Sequence, residues 1–245
     1  MKWILTPDEF SYVWANETSL DRRPYPVNLA PASAVRTESE LAALRLPQRF
    51  ARQADPDLAA ALMLCARPDA TAVTVSGERS GPGRNGDRAE SEQILGFAAV
   101  MDHHAAVLQA TPTRVTVHMC HARDLGSRLV ALIGSARPGA HGPFHEPQDT
   151  VLTDEPIPGC ATGDAARFRE TLREPVDSRG FITVTVAPSD PMSPPTRHRS
   201  WLDIHGDGRY LLTTADMLIL SPVGDADFAD ELLSLARIGG SSSGL

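Results

Sequence analysis

Apolar residues along this chain recur in two periods, and the periods follow one another in the same order twice. From about 55 to 135, and again from about 160 to 240, the pattern predicts a helix, four extended segments and a closing helix. In the first stretch, Asp55-Pro56-Asp57 opens a helix carrying Leu58, Leu62 and Cys65 on one face, and Pro68 ends it. Strands are predicted over Thr71 to Ser76, Ile94 to Asp102, Ala105 to Ala110 and Arg114 to Cys120. The last of these alternates, with Val115, Val117 and Met119 on one face and Arg114, Thr116 and His118 on the other, the signature of a half-buried strand. Asp124 to Ile133 then spells a helix with Leu125, Leu129, Leu132 and Ile133 inward.

The second stretch opens with a helix over Asp164 to Arg173, where Phe168 and Leu172 are one turn apart, and Pro175 stops it. Strands are predicted over Phe181 to Ala187, Arg199 to Ile204, Arg209 to Thr214 and Met217 to Leu220. His205-Gly206-Asp207-Gly208 supplies the Asp-Gly turn of a hairpin. Asp225 to Arg237 closes the unit with Phe228, Leu232 and Leu235 at helical spacing, before a glycine- and serine-rich end. Residues 134 to 160 carry five prolines and two histidines without periodicity, and are expected to be a mobile connection. The expected organisation is therefore one domain over 1–245, made of an N-terminal half (1–137) and a C-terminal half (160–245) joined by a Pro/Gly-rich linker (138–159).

Ahead of the repeats, Thr6-Pro7-Asp8-Glu9 reads as a helix N-cap followed by proline and acids in the first turn, with Phe10, Val13 and Trp14 on one face. Pro24, Pro26 and Pro31 leave room for only a short edge strand at Val27-Asn28-Leu29, and a second helix is predicted from Thr37 to about Arg52.

Composition narrows the partners. The formal net charge of −8 argues against general nucleic-acid binding, which needs a concentrated basic face. No apolar run reaches spanning length and the first residues are too short for a signal segment, so a cytoplasmic protein without membrane insertion is expected. Cys65, Cys120 and Cys160 are odd in number and widely spaced, giving neither a disulfide framework nor a zinc knuckle. Arginine almost replaces lysine, Lys2 being the sole exception, as in chains from GC-rich genomes.

Three groups of residues carry candidate chemistry. Gly81-Pro82-Gly83-Arg84-Asn85-Gly86 has the letters of GxGxxG, but a strand follows where a dinucleotide site needs a helix, so a polar hairpin loop is expected. His118, Cys120 and His121, with His103 and His104, are metal-ligand types and the basis of a competing reading as a metal- or thiol-dependent hydrolase. Successive strand residues point to opposite faces, so Cys120 and His121 do not pair, and neither a catalytic residue, a metal nor a cofactor is assigned. Asp203 and Asp207 flank a turn, where hydrogen bonding within the hairpin is their ordinary role.

The blocks Ala165-Ala166-Arg167-Phe168, Gly180-Phe181-Ile182-Thr183-Val184, Trp201-Leu202-Asp203-Ile204 and Asp207-Gly208-Arg209-Tyr210-Leu211 resemble the C-terminal half of the EspG family. Trp3-Ile4-Leu5-Thr6-Pro7-Asp8-Glu9-Phe10, with Trp14 and Tyr25-Pro26, resembles its N-terminal block. The family comprises the ESX (type VII) secretion-associated chaperones of actinobacteria, in keeping with the arginine bias. The resemblance implies an α+β fold of two pseudo-symmetric halves around a central, largely antiparallel sheet flanked by helices. It also implies a cytosolic, non-enzymatic chaperone that binds the helical tip of a PE/PPE heterodimer, keeps it soluble and assists secretion.

Solvent-side sheet positions are the expected contacts, namely Arg114, Thr116 and His118 in one half and Trp201, Asp203 and Arg209 in the other, together with the 78–91 loop. Trp201 and Arg209 suit interface anchors by residue type, although a core Trp201 and an Arg209 paired with Asp203 or Asp207 are equally compatible with the sequence. An interaction module for a different protein partner is the third reading.

Overall fold

A computed structural model describes residues 1–30, 37–80, 91–152 and 163–238. Its centre is one antiparallel sheet of ten strands in the order β1-β5-β4-β3-β2-β7-β8-β9-β10-β6. These strands are β1 (Lys2–Leu5), β2 (Thr71–Ser80), β3 (Ser91–Met101), β4 (His104–Thr111), β5 (Arg114–His121), β6 (Phe144–Pro147), β7 (Val176–Thr185), β8 (Arg197–Ile204), β9 (Gly208–Thr214) and β10 (Met217–Pro222). The two predicted four-strand runs meet where β2 and β7 pair in register from Ala72↔Thr185 to Arg79↔Ser178.

The helices are α1 (Pro7–Thr18), α2 (Glu38–Ala43), α3 (Leu46–Arg49), α4 (Pro56–Ala66), α5 (Leu125–Ile133), α6 (Gln148–Leu152), α7 (Gly163–Arg173) and α8 (Asp225–Leu235). Local chemistry sets their starts. Thr6 Oγ1 accepts from the Glu9 N–H at 3.2 Å while Glu9 Oε2 accepts from the Thr6 N–H at 2.8 Å, a reciprocal capping box ahead of Pro7. At α4, Asp55 Oδ1 accepts from the Leu58 N–H at 3.0 Å and Pro56 fills the first helical position.

The two faces of the sheet are covered differently. On one, called the back, α5 and α8 pack against Val73, Val75, Ala98, Val107, Ile182, Val184, Trp201 and Leu211 as one continuous core. These helices approach closely because Gly126 has no side chain: a Cβ there would lie 2.3 Å from the Ala229 carbonyl oxygen. On the front, α1 and α4 seal one end over Phe97, Ala99, Leu108, Val115 and Val117. At the other end α6 and α7 place Val151 and Phe168 against Phe144, Ile204, Tyr210, Leu218 and Leu220. Between these two covers the front of the sheet is open.

Several expectations are corrected. Val27-Asn28-Leu29 forms no strand: a turn from the Val27 N–H to the Pro24 carbonyl (2.9 Å) drops a fully buried Val27 into the α1/α4 core. The helix expected from Thr37 to Arg52 is two short ones, because Pro47 cannot continue a helix and Arg45 turns the chain with φ 49°. The 138–159 connection is not without structure, since it contains β6, paired with β10, and α6. Lys2–Leu5, to which the sequence assigns no element, is strand β1, paired with β5. The 81–90 loop with its glycine motif, Cys160 and the Gly/Ser-rich end lie outside the described residues.

Candidate functional site

The open front is built by register. Leu95 lies opposite Ser76, Ser76 opposite Phe181, Phe181 opposite Ser200 and Ser200 opposite Leu212, so five strands contribute one transverse row of side chains. The next row reads Gln93, Glu78, Arg179, Leu202. Together they line a groove of about 630 Å³ whose wall is mostly apolar. Phe181 stands 67 % exposed at its centre, a large apolar side chain on the otherwise polar stripe of β7.

Polar groups border this row on both sides. Arg179 Nη2 meets Glu78 Oε1 at 2.6 Å, and Ser91 Oγ donates to Glu78 Oε2 at 3.2 Å. The Arg179 hydrogen bond, seconded by Ser91, lowers the Glu78 carboxyl from its ordinary range. On the other side Thr183 Oγ1 lies 3.1 Å from His198 Nδ1, and the Thr185 and Thr196 hydroxyls are 3.2 Å apart.

Beneath the groove the floor is stiffened from the back. Gly77 and Gly180 sit opposite each other on β2 and β7, and the Trp201 indole lies across both. A Cβ on Gly180 would come within 2.1 Å of that ring. Trp201 Nε1 donates to Ser178 Oγ at 3.1 Å, so the fully buried indole is satisfied.

The six residues expected on the solvent side do not come together. Trp201 and Arg209 are both 0 % exposed, because α5 and α8 roof the face of the sheet on which they stand. Arg209 holds Asp203 through two bonds, Nε to Oδ1 at 2.7 Å and Nη2 to Oδ2 at 2.8 Å, and Nη2 also donates to the Gly134 carbonyl at 2.8 Å. Asp203 is itself mostly buried by this grip. The close partner of Arg209 is therefore Asp203, with Asp225 3.6 Å away, while Asp207 accepts from the Tyr210 hydroxyl at 2.5 Å. Arg114, Thr116 and His118 lie on the back of β5, beyond the roof and across the sheet from the groove. The sequence does not join Phe181, Leu95, Leu202 and Leu212 into one surface, although a phenylalanine in step with Thr183 and Thr185 is a readable sign.

The competing metal or thiol chemistry finds little support in the geometry. His121 Nδ1 accepts the Arg123 N–H at 3.2 Å and its ring stacks on His103 at 5.8 Å. Burial pushes the Cys120 thiol up, away from a reactive thiolate. His118 is pushed down by burial and by the positive charges of Arg128, the N-terminal ammonium and Lys2. Among the described residues no three His, Cys, Asp or Glu side chains converge as a metal set. A larger cleft of about 960 Å³ between α7 and the β8–β9 turn is lined by Asp164, Glu170, Glu174 and Asp207 with Arg167, His141 and His205, a charged wall unlike the apolar groove. Among the described residues no helix is long and apolar enough to cross a membrane.

A wholly antiparallel sheet, roofed on its back and open along an apolar groove in front, defines a fold of mixed α+β class. The EspG family model matches residues 6–233, nearly the full length, and the chain belongs to the EspG family of non-enzymatic, ESX secretion-associated chaperones. No curated protein matches it.

Proposed function

We propose that this chain is a cytosolic chaperone that takes the helical tip of a PE/PPE-type heterodimer into the groove around Phe181, keeping the tip soluble until type VII secretion. The observation that carries this reading is an exposed Phe181 flanked by the half-buried Leu95, Leu202 and Leu212 in the groove between two helical covers. The end of a helical bundle exposes apolar side chains that self-associate, and an apolar groove with polar borders covers them reversibly. Family membership supports a PE/PPE-type cargo.

In this reading the fold is a single EspG-like domain of two pseudo-symmetric halves. Each contributes four consecutive strands, an edge strand on its outer side and a closing helix on the back, related about an axis between β2 and β7. Support comes from the sheet order, in which β1 and β6 flank β5 and β10, and from the packing of α5 on α8.

The test is co-expression with candidate PE/PPE pairs followed by size-exclusion chromatography. A heterotrimer is expected with a cognate pair, and Phe181→Glu is expected to abolish it without unfolding the protein. Separate elution of every pair, or a complex indifferent to Phe181→Glu, would overturn the assignment.

A further inference from the structure

The sheet has a second unfilled feature, at its β1 edge and away from the groove. Met1 and Met119 exchange both backbone hydrogen bonds, at 3.0 Å each, so alternation makes Trp3 and Leu5 the next residues bonded inward to β5. The backbone N–H and C=O groups of Lys2 and Ile4 therefore face outward, and β1 ends the strand order. Such an edge is a ready template for another strand.

The two sides of this edge differ in chemistry. On the front, a cavity of about 380 Å³ lies beside β1, its wall joining Trp3, Leu5, Phe50 and Leu58 to Glu17, Asp55 and the Glu9–Arg49 ion pair. On the back, Lys2 stands opposite His118, and Arg128 on α5 is close enough to depress that imidazole. Among the described residues neither Lys2 nor Arg128 makes an ion pair, whereas Arg49, Arg67, Arg79, Arg179, Arg199 and Arg209 all do. Two free cations beside an imidazole form a positive spot on a chain of net charge −8. Ile4, 58 % exposed, completes the strip.

We propose that the β1 edge is a strand-addition site that receives an extended acidic segment of a partner protein as an eleventh strand. Side chains of an added strand alternate between faces, so carboxylates at every second position meet Lys2, His118 and Arg128 while the apolar residues between them enter the front cavity. Main-chain pairing supplies attachment and the two side-chain sets supply selectivity. The site lies outside the Phe181 groove, so its failure leaves the cargo reading standing.

The probe is a fluorescein-labelled octapeptide of alternating glutamate and leucine, titrated into the full-length protein at low salt and followed by anisotropy. Saturable binding is expected. It should weaken at least about tenfold when lysine replaces glutamate, when alternate backbone nitrogens are methylated, and in the double variant Lys2→Glu/Arg128→Glu. Ile4→Pro removes an outward N–H that the fold does not use, a change an edge strand tolerates, and should weaken binding similarly. Phe181→Glu should leave it unchanged.

Absence of saturation up to about 1 mM peptide would overturn the proposal. So would equal binding of the methylated peptide, which requires no variant of the protein. A concentration-dependent dimer dissolved by Ile4→Pro would overturn it as well, by giving the edge to a second copy of the chain.

Discussion

Arg209 and Asp203 form a two-pronged ion pair across the β8–β9 ladder, 2.7 and 2.8 Å long, with the guanidinium fully buried and its carbon 5.2 Å from the centre of the Phe228 ring. The same guanidinium reaches Gly134 at the end of α5 and stands 3.6 Å from Asp225 at the start of α8. One side chain therefore ties the hairpin to both helices of the roof.

Removing that side chain should leave Asp203 facing an apolar core without its counter-charge. Arg209→Ala is expected to destabilise the protein by about 3–5 kcal/mol, and Asp203→Ala by a comparable amount, in denaturant titrations. A cost below about 1 kcal/mol for either would mean that the pair is not the clasp of the roof.

The glycine pair under Trp201 gives a steric prediction. Gly180→Ala forces a methyl group into the indole and should cost about 2–3 kcal/mol, since neither the ring nor the adjacent strand can move without disturbing the core. Gly163→Ala, whose added methyl meets nothing within 4 Å, serves as the control and should be nearly neutral. Thermal melts of the two variants side by side decide this.

Phe181 gives the functional counterpart. Because its ring is exposed, Phe181→Glu should change stability by less than about 0.5 kcal/mol, yet weaken cargo binding by 2 kcal/mol or more, roughly thirtyfold. Calorimetric titration against a cognate pair separates this from a general folding defect.

The Tyr210–Asp207 pair should make stability depend on pH at both extremes. Burial and the Asp207 bond push the Tyr210 phenol up to about 12. The folded state thus holds a proton that the unfolded chain releases near pH 10, and stability should fall between about pH 10 and 12. Burial alone would raise Asp207, but the Tyr210 hydroxyl, the Ala140 N–H and the nearby His141 and Arg137 together lower it. Its stabilisation is therefore present above the ordinary carboxylate range and is lost as pH falls through and below that range. Tyr210→Phe should cost about 1–2 kcal/mol at neutral pH and flatten the alkaline limb. Denaturation midpoints measured from pH 2 to 12 would reveal both limbs.

Much of this architecture could be read from residue patterning, and each exception has its own physical cause. The eight internal strands showed themselves through alternation or turn residues, as at Val115, Val117 and Met119 or at Gly206-Asp207-Gly208. Edge strands β1 and β6 did not, because four residues such as Lys2–Leu5 take their ladder from a distant partner and carry no period of their own. Pro47 and the left-handed Arg45 divide the 37–52 stretch, which apolar spacing alone joins into one helix. The site was less legible for a geometric reason. Alternation says that Trp201, Asp203 and Arg209 share a face, but which face a helix later covers depends on α5 and α8, remote in sequence. Phe181 was the exception, since an aromatic among threonines on an outward stripe is a local signal.

The seam between β2 and β7 also governs how the molecule comes into being. Glu78 and Arg179, which meet across it, are 101 residues apart in the chain, so the ribosome must deliver most of the polypeptide before the two strands can join. Until then the emerging N-terminal portion exposes the bare flank of β2, and during its own synthesis this guardian of other proteins is itself open to misassembly.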